Sequence, residues 1–303
     1  MLLKTNLCGM KLKNPLILAS GIIGVTKASL KSAADSGAGA VTIKSISRER
    51  RKGHEPPIIA TEGDVMINAV GYSNPGIEEA KMEFLRLSEV GVPVIASIIG
   101  KDAGEFAWMA KNFLPGEFSA VELPLSCPHT PGYGMLAGQG TPGATLEITK
   151  VVKKQTKLPV IVKLSPNIQA LGDVAKAAEK AGADAINMGN TVGPGMFIDP
   201  KARKPVLTFG FGGLSGPAIK AIAVRCVYDV YKAVKIPVIG TGGVATGTDA
   251  AEMLMAGASA VGIGSAVHYR DVAVFGKIAK ELSALMKDEG FSSVKEMIGI
   301  AHE

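Results

Sequence analysis

Three times the chain writes a small-residue turn that runs into an apolar strand: SGAGAV at 36–41, AGADAI at 181–186 and AGASAV at 256–261. Three times it also writes Pro-Val-Ile at the start of such a strand, in VPVIAS at 92–97, LPVIVK at 158–163 and IPVIGT at 236–241. A helix, a Gly-Ala turn and a short β-branched run make one βα unit, and units of one hand stack into a parallel sheet covered by helices. Strand-like runs fall near 16–21, 41–46, 92–98, 120–126, 159–164, 185–189, 236–240 and 260–264, each followed by helical patterning. Eight such units close a (β/α)8 barrel, the TIM-barrel class of α/β folds. An open doubly wound sheet is the rival, but it usually needs fewer strands.

A barrel of this class takes about 250 residues as one unit, so 303 residues predict a single domain over 1–303 with insertions rather than two domains. A composition 47% hydrophobic and 20% charged supplies a large core. The net charge of +6 is scattered, with few aromatics and no basic stripe, which argues against a nucleic-acid or membrane face. Lys4, Lys11 and Lys13 before LILASGIIGV imitate a secretory leader, but Asn14-Pro15, Gly21 and Gly24 break the run. Cys8, Cys127 and Cys226 lack disulfide-like spacing, and no run has transmembrane length, so a reduced, cytoplasmic protein is expected.

Ligand-binding groups of such barrels sit at the carboxyl ends of the strands. Strands seven and eight end in Gly240-Thr241-Gly242-Gly243 and Gly262-Ile263-Gly264-Ser265. Adjacent glycine turns expose backbone N–H groups to an anion, so this corner predicts a phosphate site, and Gly212–Gly216 before Pro217 could add donors. Lys44 and Lys163 end strands two and five, where an ammonium can neutralise an electron-rich ring or a carboxylate. Asn68, Asn74, Asn167, Asn187 and Asn190, at loops or strand ends, could present amide pairs to a planar heterocycle. Cys127 ends strand four and opens the glycine-rich stretch 128–143, which can fold over a site. A thiolate near lysines has a lowered pKa and can take a proton. His129 is a candidate partner, and no His/Cys spacing suggests a metal.

These residues together resemble the dihydroorotate dehydrogenase family, in its cysteine-using class 1 and nearest its 1B type. The resemblance runs through NPLILASG at 14–21, TIKSIS at 42–47, NAVGYSNPG at 68–76, SCP at 126–128 and VKLSPN at 162–167. It continues through NTVGPGMFID at 190–199 and KPVLTFGFGGLSGPAIKAIAVR at 204–225 to the two glycine strand ends. It implies an FMN-dependent oxidation of dihydroorotate to orotate, with Cys127 removing the C5 proton while hydride leaves C6. By the same resemblance Ser20, Lys44, Ser45, Lys163, Gly189, Gly216, Gly242, Gly243, Gly264 and Ser265 match FMN contacts. Asn68, Ala69, Val70, Gly71, Tyr72, Asn190 and Thr191 match substrate contacts, with Lys44 between the two ligands and catalytic with Cys127.

Departures from the family pattern keep alternatives open. Pro124 and His129 stand where the family places asparagines, and Ser97 replaces another near the flavin. A different dihydropyrimidine, such as dihydrouracil, is therefore a second reading, and a non-catalytic barrel for a phosphorylated ligand is a third. The resemblance leaves the oxidant open between fumarate and a partner subunit carrying FAD and an iron–sulfur cluster. A homo-oligomer is expected, and the insertion at 192–216 is expected to form a small cap beside the site.

Overall fold

The structure is a computed structural model that describes residues 2–113, 116–125 and 138–303. Eight strands form the barrel: β1 (Leu16–Leu18), β2 (Ala40–Thr42), β3 (Val94–Ser97), β4 (Ala120–Pro124), β5 (Val160–Leu164), β6 (Ala185–Met188), β7 (Val238–Thr241) and β8 (Ala258–Ile263). They pair in chain order and close, every pair parallel, with β8 beside β1. All eight runs expected from the sequence are strands. Each is buried on both faces, which is why it reads as a continuous apolar run rather than an alternating one.

The two faces have different partners. Leu16, Leu18, Val41, Val94, Val121, Val160, Val162 and Val261 point outward and pack with helix residues such as Leu30, Phe106, Val174 and Leu282. The inward face begins with one residue from each strand. The odd strands give Ile17, Ile95, Ile161 and Ile239, and the even strands give Ala40, Ala120, Ala185 and Ala260. This large-small alternation around the ring lets the four isoleucines fill an interior too narrow for eight. An N-terminal hairpin, Thr5–Leu7 with Met10–Leu12, closes this end by adding Leu7, Met10 and Leu12 to the same cluster.

Two residues further along each strand the same face comes round again. That second layer holds Ala19, Thr42, Ser97, Glu122, Lys163, Asn187, Thr241 and Gly262, all buried. The interior therefore changes from apolar at the amino ends to polar at the middle, and the polar layer is the floor of whatever binds above it.

Two insertions cover the carboxyl ends. Segments Val192–Gly195 and Gly212–Ser215 pair with each other, then Gly212–Ser215 pairs with Val65–Asn68, and Val65–Asn68 with Ile59–Glu62, all antiparallel. The expected cap from 192–216 is present but supplies only half of this sheet. The other half is a hairpin after β2, turned by Gly63-Asp64 with Gly63 at φ +52°. Ile67, Ala69 and Leu207 form the cap's own small core. Among the described residues no helix is long and apolar enough to cross a membrane.

Candidate active site at the carboxyl end of the barrel

A cavity of about 1170 Å³, its open mouth included, lies between the strand ends and the cap. Both strand-end lysines, Lys44 and Lys163, line it. So do Ser20 and Ser45 beside β1 and β2, and Gly189 after β6. Gly242, Gly243, Gly264 and Ser265 form its β7–β8 corner, and Asn68, Val70, Gly71, Tyr72, Asn190 and Thr191 line the opposite part. Two residues matched by resemblance lie elsewhere. Ala69 is wholly buried in the cap core, and Gly216 is outside the lining. Gly216 sits at φ +95°, and a Cβ there would come 2.4 Å from the Asp64 carbonyl, so its role in the fold is to let the cap hairpin approach the chain before Pro217. Cys127 and His129 fall outside the described residues.

By the chemistry of its donors, the corner of the β7 and β8 turns fits a phosphate. Among the described residues no acceptor takes the backbone N–H of Gly243, Gly264 or Ser265, so these donors remain for an anion. The glycines are also sterically required there. Gly243, at φ +73°, lies so near the helix Lys220–Ala233 that a Cβ would approach the Lys220 Cα to 2.6 Å, and a Cβ on Gly242 would meet that of Ala223 at 2.8 Å. At Gly264, by contrast, a Cβ would meet only Ile22 and Ala19, at 3.7 and 3.9 Å, and would stand in the cavity wall.

The corner is braced from behind by Asp249. Its carboxylate accepts from the Ala245 and Thr246 amides at 3.0 and 2.8 Å and from Lys220 Nζ at 2.8 Å, and with Thr246 it forms the capping box of helix Gly247–Met255. Burial works to raise its pKa, but Lys220 and the amide donors outweigh burial and hold it below the ordinary carboxylate value. Glu281 is also depressed, first by its hydrogen bond to Arg270, and it accepts from the Gly247 amide. A carboxylate depressed in the fold contributes fully above its unfolded pKa, about 4, and loses that contribution as pH falls through the folded value. Melting temperature is therefore expected to drop on acidification below about pH 4. Asp249→Asn is expected to cost about 1–2 kcal/mol at neutral pH and to remove part of that acid slope, as read by thermal melts from pH 7 to pH 3.

The floor is a set of connected side chains. Ser20 Oγ donates to the Ile43 carbonyl and lies 3.2 Å from Ser45 Oγ, which lies 2.9 Å from Ser97 Oγ. Ser97 thus supports the two cavity-lining serines from below. On the other side Thr241 Oγ1 donates to Asn187 Oδ1 at 2.8 Å, and Asn187 Nδ2 donates to Glu122 Oε2 at 2.6 Å.

The five asparagines divide by role. Asn68 and Asn190 line the cavity. Asn187 is not at a loop but inside the barrel. Asn167 bridges the Thr191 carbonyl and the Gly193 amide. Asn74 accepts from the Ser47 and Gly76 amides and donates to the Tyr72 carbonyl, which fixes the loop that carries residues 70–72. Tyr72 holds φ +57° and its hydroxyl reaches the Pro124 carbonyl at 3.4 Å, joining the loop to the end of β4. The sequence names Thr241 only as part of a glycine strand end, with no role of its own, and does not single out the apolar lining Ile22, Ile59, Met66 and Ile219. Thr241 could have been found from its place in the GTGG turn, whereas the apolar residues carry no local signal.

Comparison with known proteins agrees with this geometry. The family model described as dihydroorotate dehydrogenase matches residues 2–286. A Pyrococcus abyssi protein named dihydroorotate dehydrogenase B (NAD(+)), catalytic subunit, is 49% identical over 99% of this chain and 99% of its own length. A protein of the same name from Methanocaldococcus jannaschii is 45% identical over 100% of this chain and 99% of its own. In fold, the crystal structure of DHODH from Eimeria tenella in complex with ferulenol superposes with a TM-score of 0.86 at 23% identity, covering 99% of this chain and 89% of that one. With its model spanning nearly the whole barrel and its members aligning end to end, the chain belongs to the dihydroorotate dehydrogenase family.

Proposed function

We infer that the chain, as a single domain, oxidises L-dihydroorotate to orotate in pyrimidine biosynthesis with FMN as resident cofactor. The observation that carries the reading is one cavity that gathers two strand-end lysines, two glycine turns with unspent N–H donors and the 68–72 loop. Bound FMN supplies the acceptor for the hydride that leaves C6 of the substrate. The protein's part is positioning, charge and one proton. Gly243, Gly264 and Ser265 hold the phosphate through backbone N–H groups. Ser20, Ser45, Gly189 and Gly242 shape the surface against which the flavin lies, and Lys163 offers its ammonium from the floor.

Asn68, Asn190 and Thr191 present donors and acceptors to the substrate ring and its carboxylate, and the loop Val70–Gly71–Tyr72 closes beside them. Lys44 lines the same cavity, and placed between the two ligands, as the family resemblance implies, it would stabilise charge that develops during transfer. Cys127, as thiolate, takes the C5 proton, so one proton and one hydride leave adjacent carbons and a C5–C6 double bond remains. By analogy with relatives named as catalytic subunits, the electrons pass to a separate partner subunit carrying FAD and an iron–sulfur cluster, and from it to NAD. The reading further makes the enzyme a cytoplasmic homo-oligomer.

The test is spectral. Protein reconstituted with FMN is titrated with orotate and with uracil, and perturbation of the flavin bands by orotate at concentrations where uracil has no effect is the expected outcome. Perturbation by uracil alone would transfer the activity to another dihydropyrimidine, the reading that Pro124 in the cavity wall would then explain.

A further inference from the structure

Two charged side chains share the buried middle layer of the barrel, Glu122 at 2% exposure and Lys163 at 5%. The carboxylate is fixed from one side only: Oε2 takes the Asn187 amide, whose orientation is set by Thr241, while Oε1 has no hydrogen-bond donor. Lys163 Nζ lies 3.7 Å from that Oε1, close enough for strong attraction at low dielectric but beyond hydrogen-bond length. The ammonium is therefore held by charge without committing its N–H groups to Glu122, and Lys163 lines the cavity, where those donors can meet a ligand. A buried carboxylate placed so is costly for the fold unless its cation stays beside it.

We propose that Glu122, anchored by Asn187 and Thr241, is a positioning residue that holds Lys163 at the cavity floor and moderates the positive field it presents to bound FMN. This rests on the flavin reading above. FMN gains negative charge on reduction. Lys163 favours the reduced form and Glu122 opposes part of that preference. Removing the carboxylate's charge leaves the ammonium uncompensated.

The experiment measures the two-electron midpoint potential of FMN-loaded protein, a quantity independent of turnover. Glu122→Gln, which can still accept from Asn187, is expected to strengthen binding of reduced over oxidised FMN by about tenfold, an upward shift of about 30 mV. Glu122→Asp, which keeps the charge, is expected to stay close to the parent. The shift is expected to be clearly smaller when Glu122→Gln is made in a Lys163→Met background, where only the carboxylate's direct field on the flavin is lost. Equal potentials for the parent and Glu122→Gln would overturn the proposal, and so would a full shift in the Lys163→Met background. If Glu122→Gln does not fold, Asn187→Ser, which removes the anchor of the carboxylate, takes its place. An upward shift supports the proposal and an unchanged potential overturns it. A parent protein that takes up no FMN would remove the flavin reading and this inference together, whereas flavin-loaded proteins of equal potential would remove this inference alone.

Discussion

Cys127→Ala protein loaded with FMN and mixed anaerobically with L-dihydroorotate is expected to reduce its flavin about 10²- to 10⁴-fold more slowly than the parent, the usual contribution of a positioned general base. FMN binding is expected to be unchanged, because every group assigned to the phosphate and to the flavin lies on other strand ends. The expectation rests on sequence position. Cys127 follows β4 by three residues, and the described part of that segment, Pro124-Leu125, already reaches the cavity wall, where the Tyr72 hydroxyl meets the Pro124 carbonyl. Stopped-flow absorbance with both proteins at neutral pH checks it. Equal rates would move the proton to another acceptor, and His129 would then be the next residue to replace.

The second large effect is expected at the phosphate corner. Gly243→Ala forces a Cβ to within 2.6–2.7 Å of the Lys220 backbone, in a left-handed conformation that L side chains rarely adopt. Strained φ costs about 1–2 kcal/mol and overpacking about 1–3 kcal/mol, so a loss of about 2–5 kcal/mol is expected in urea denaturation. FMN affinity is expected to fall as well, since the turn cannot move without redirecting its donors. Gly264→Ala separates the two effects. Its Cβ would meet nothing closer than 3.7 Å, so stability is expected to remain within about 1 kcal/mol of the parent. The methyl nevertheless enters the cavity wall and is expected to weaken FMN binding. A Gly264→Ala protein that binds FMN as tightly as the parent would show that the corner does not hold the cofactor.

Much of this architecture was legible because parallel barrel strands are read by repetition. Three Gly-Ala turns and three Pro-Val-Ile starts mark six of the eight strands, all but β1 and β4, and the glycine turns of β7 and β8 mark the corner where two strand ends meet. The cap was only half legible. The stretch 192–216 announces itself as an insertion, but it forms a sheet only by pairing with Val65–Asn68, some 145 residues earlier in Asn68–Gly213, and no local pattern encodes so distant a partner. The polar middle layer was hidden for a related reason. Glu122 and Asn187 each look like a lone polar residue in an apolar run, and only closure of the barrel places β4, β5, β6 and β7 so that Glu122, Lys163, Asn187 and Thr241 meet. The Ile-Ala ring beneath them is in the sequence in full, yet it becomes visible only once the strand registers are known.

Ala69 and Gly216 lie outside the cavity lining. Both belong to recognisable segments, but one fills the cap core and the other provides the close approach of the Asp64 turn. Their neighbours Asn68, Val70 and Ser215 line the cavity. A period-2 strand and a tight turn each assign alternate residues to ligand and to fold.

The central claim is an FMN-loaded barrel that takes a hydride from dihydroorotate. The most direct test is anaerobic stopped-flow absorbance of the parent protein, reconstituted with FMN and mixed with L-dihydroorotate, with no partner subunit present. Rapid loss of the oxidised flavin band and release of one orotate per flavin is the result expected. A flavin that binds but stays oxidised at saturating L-dihydroorotate would contradict the account.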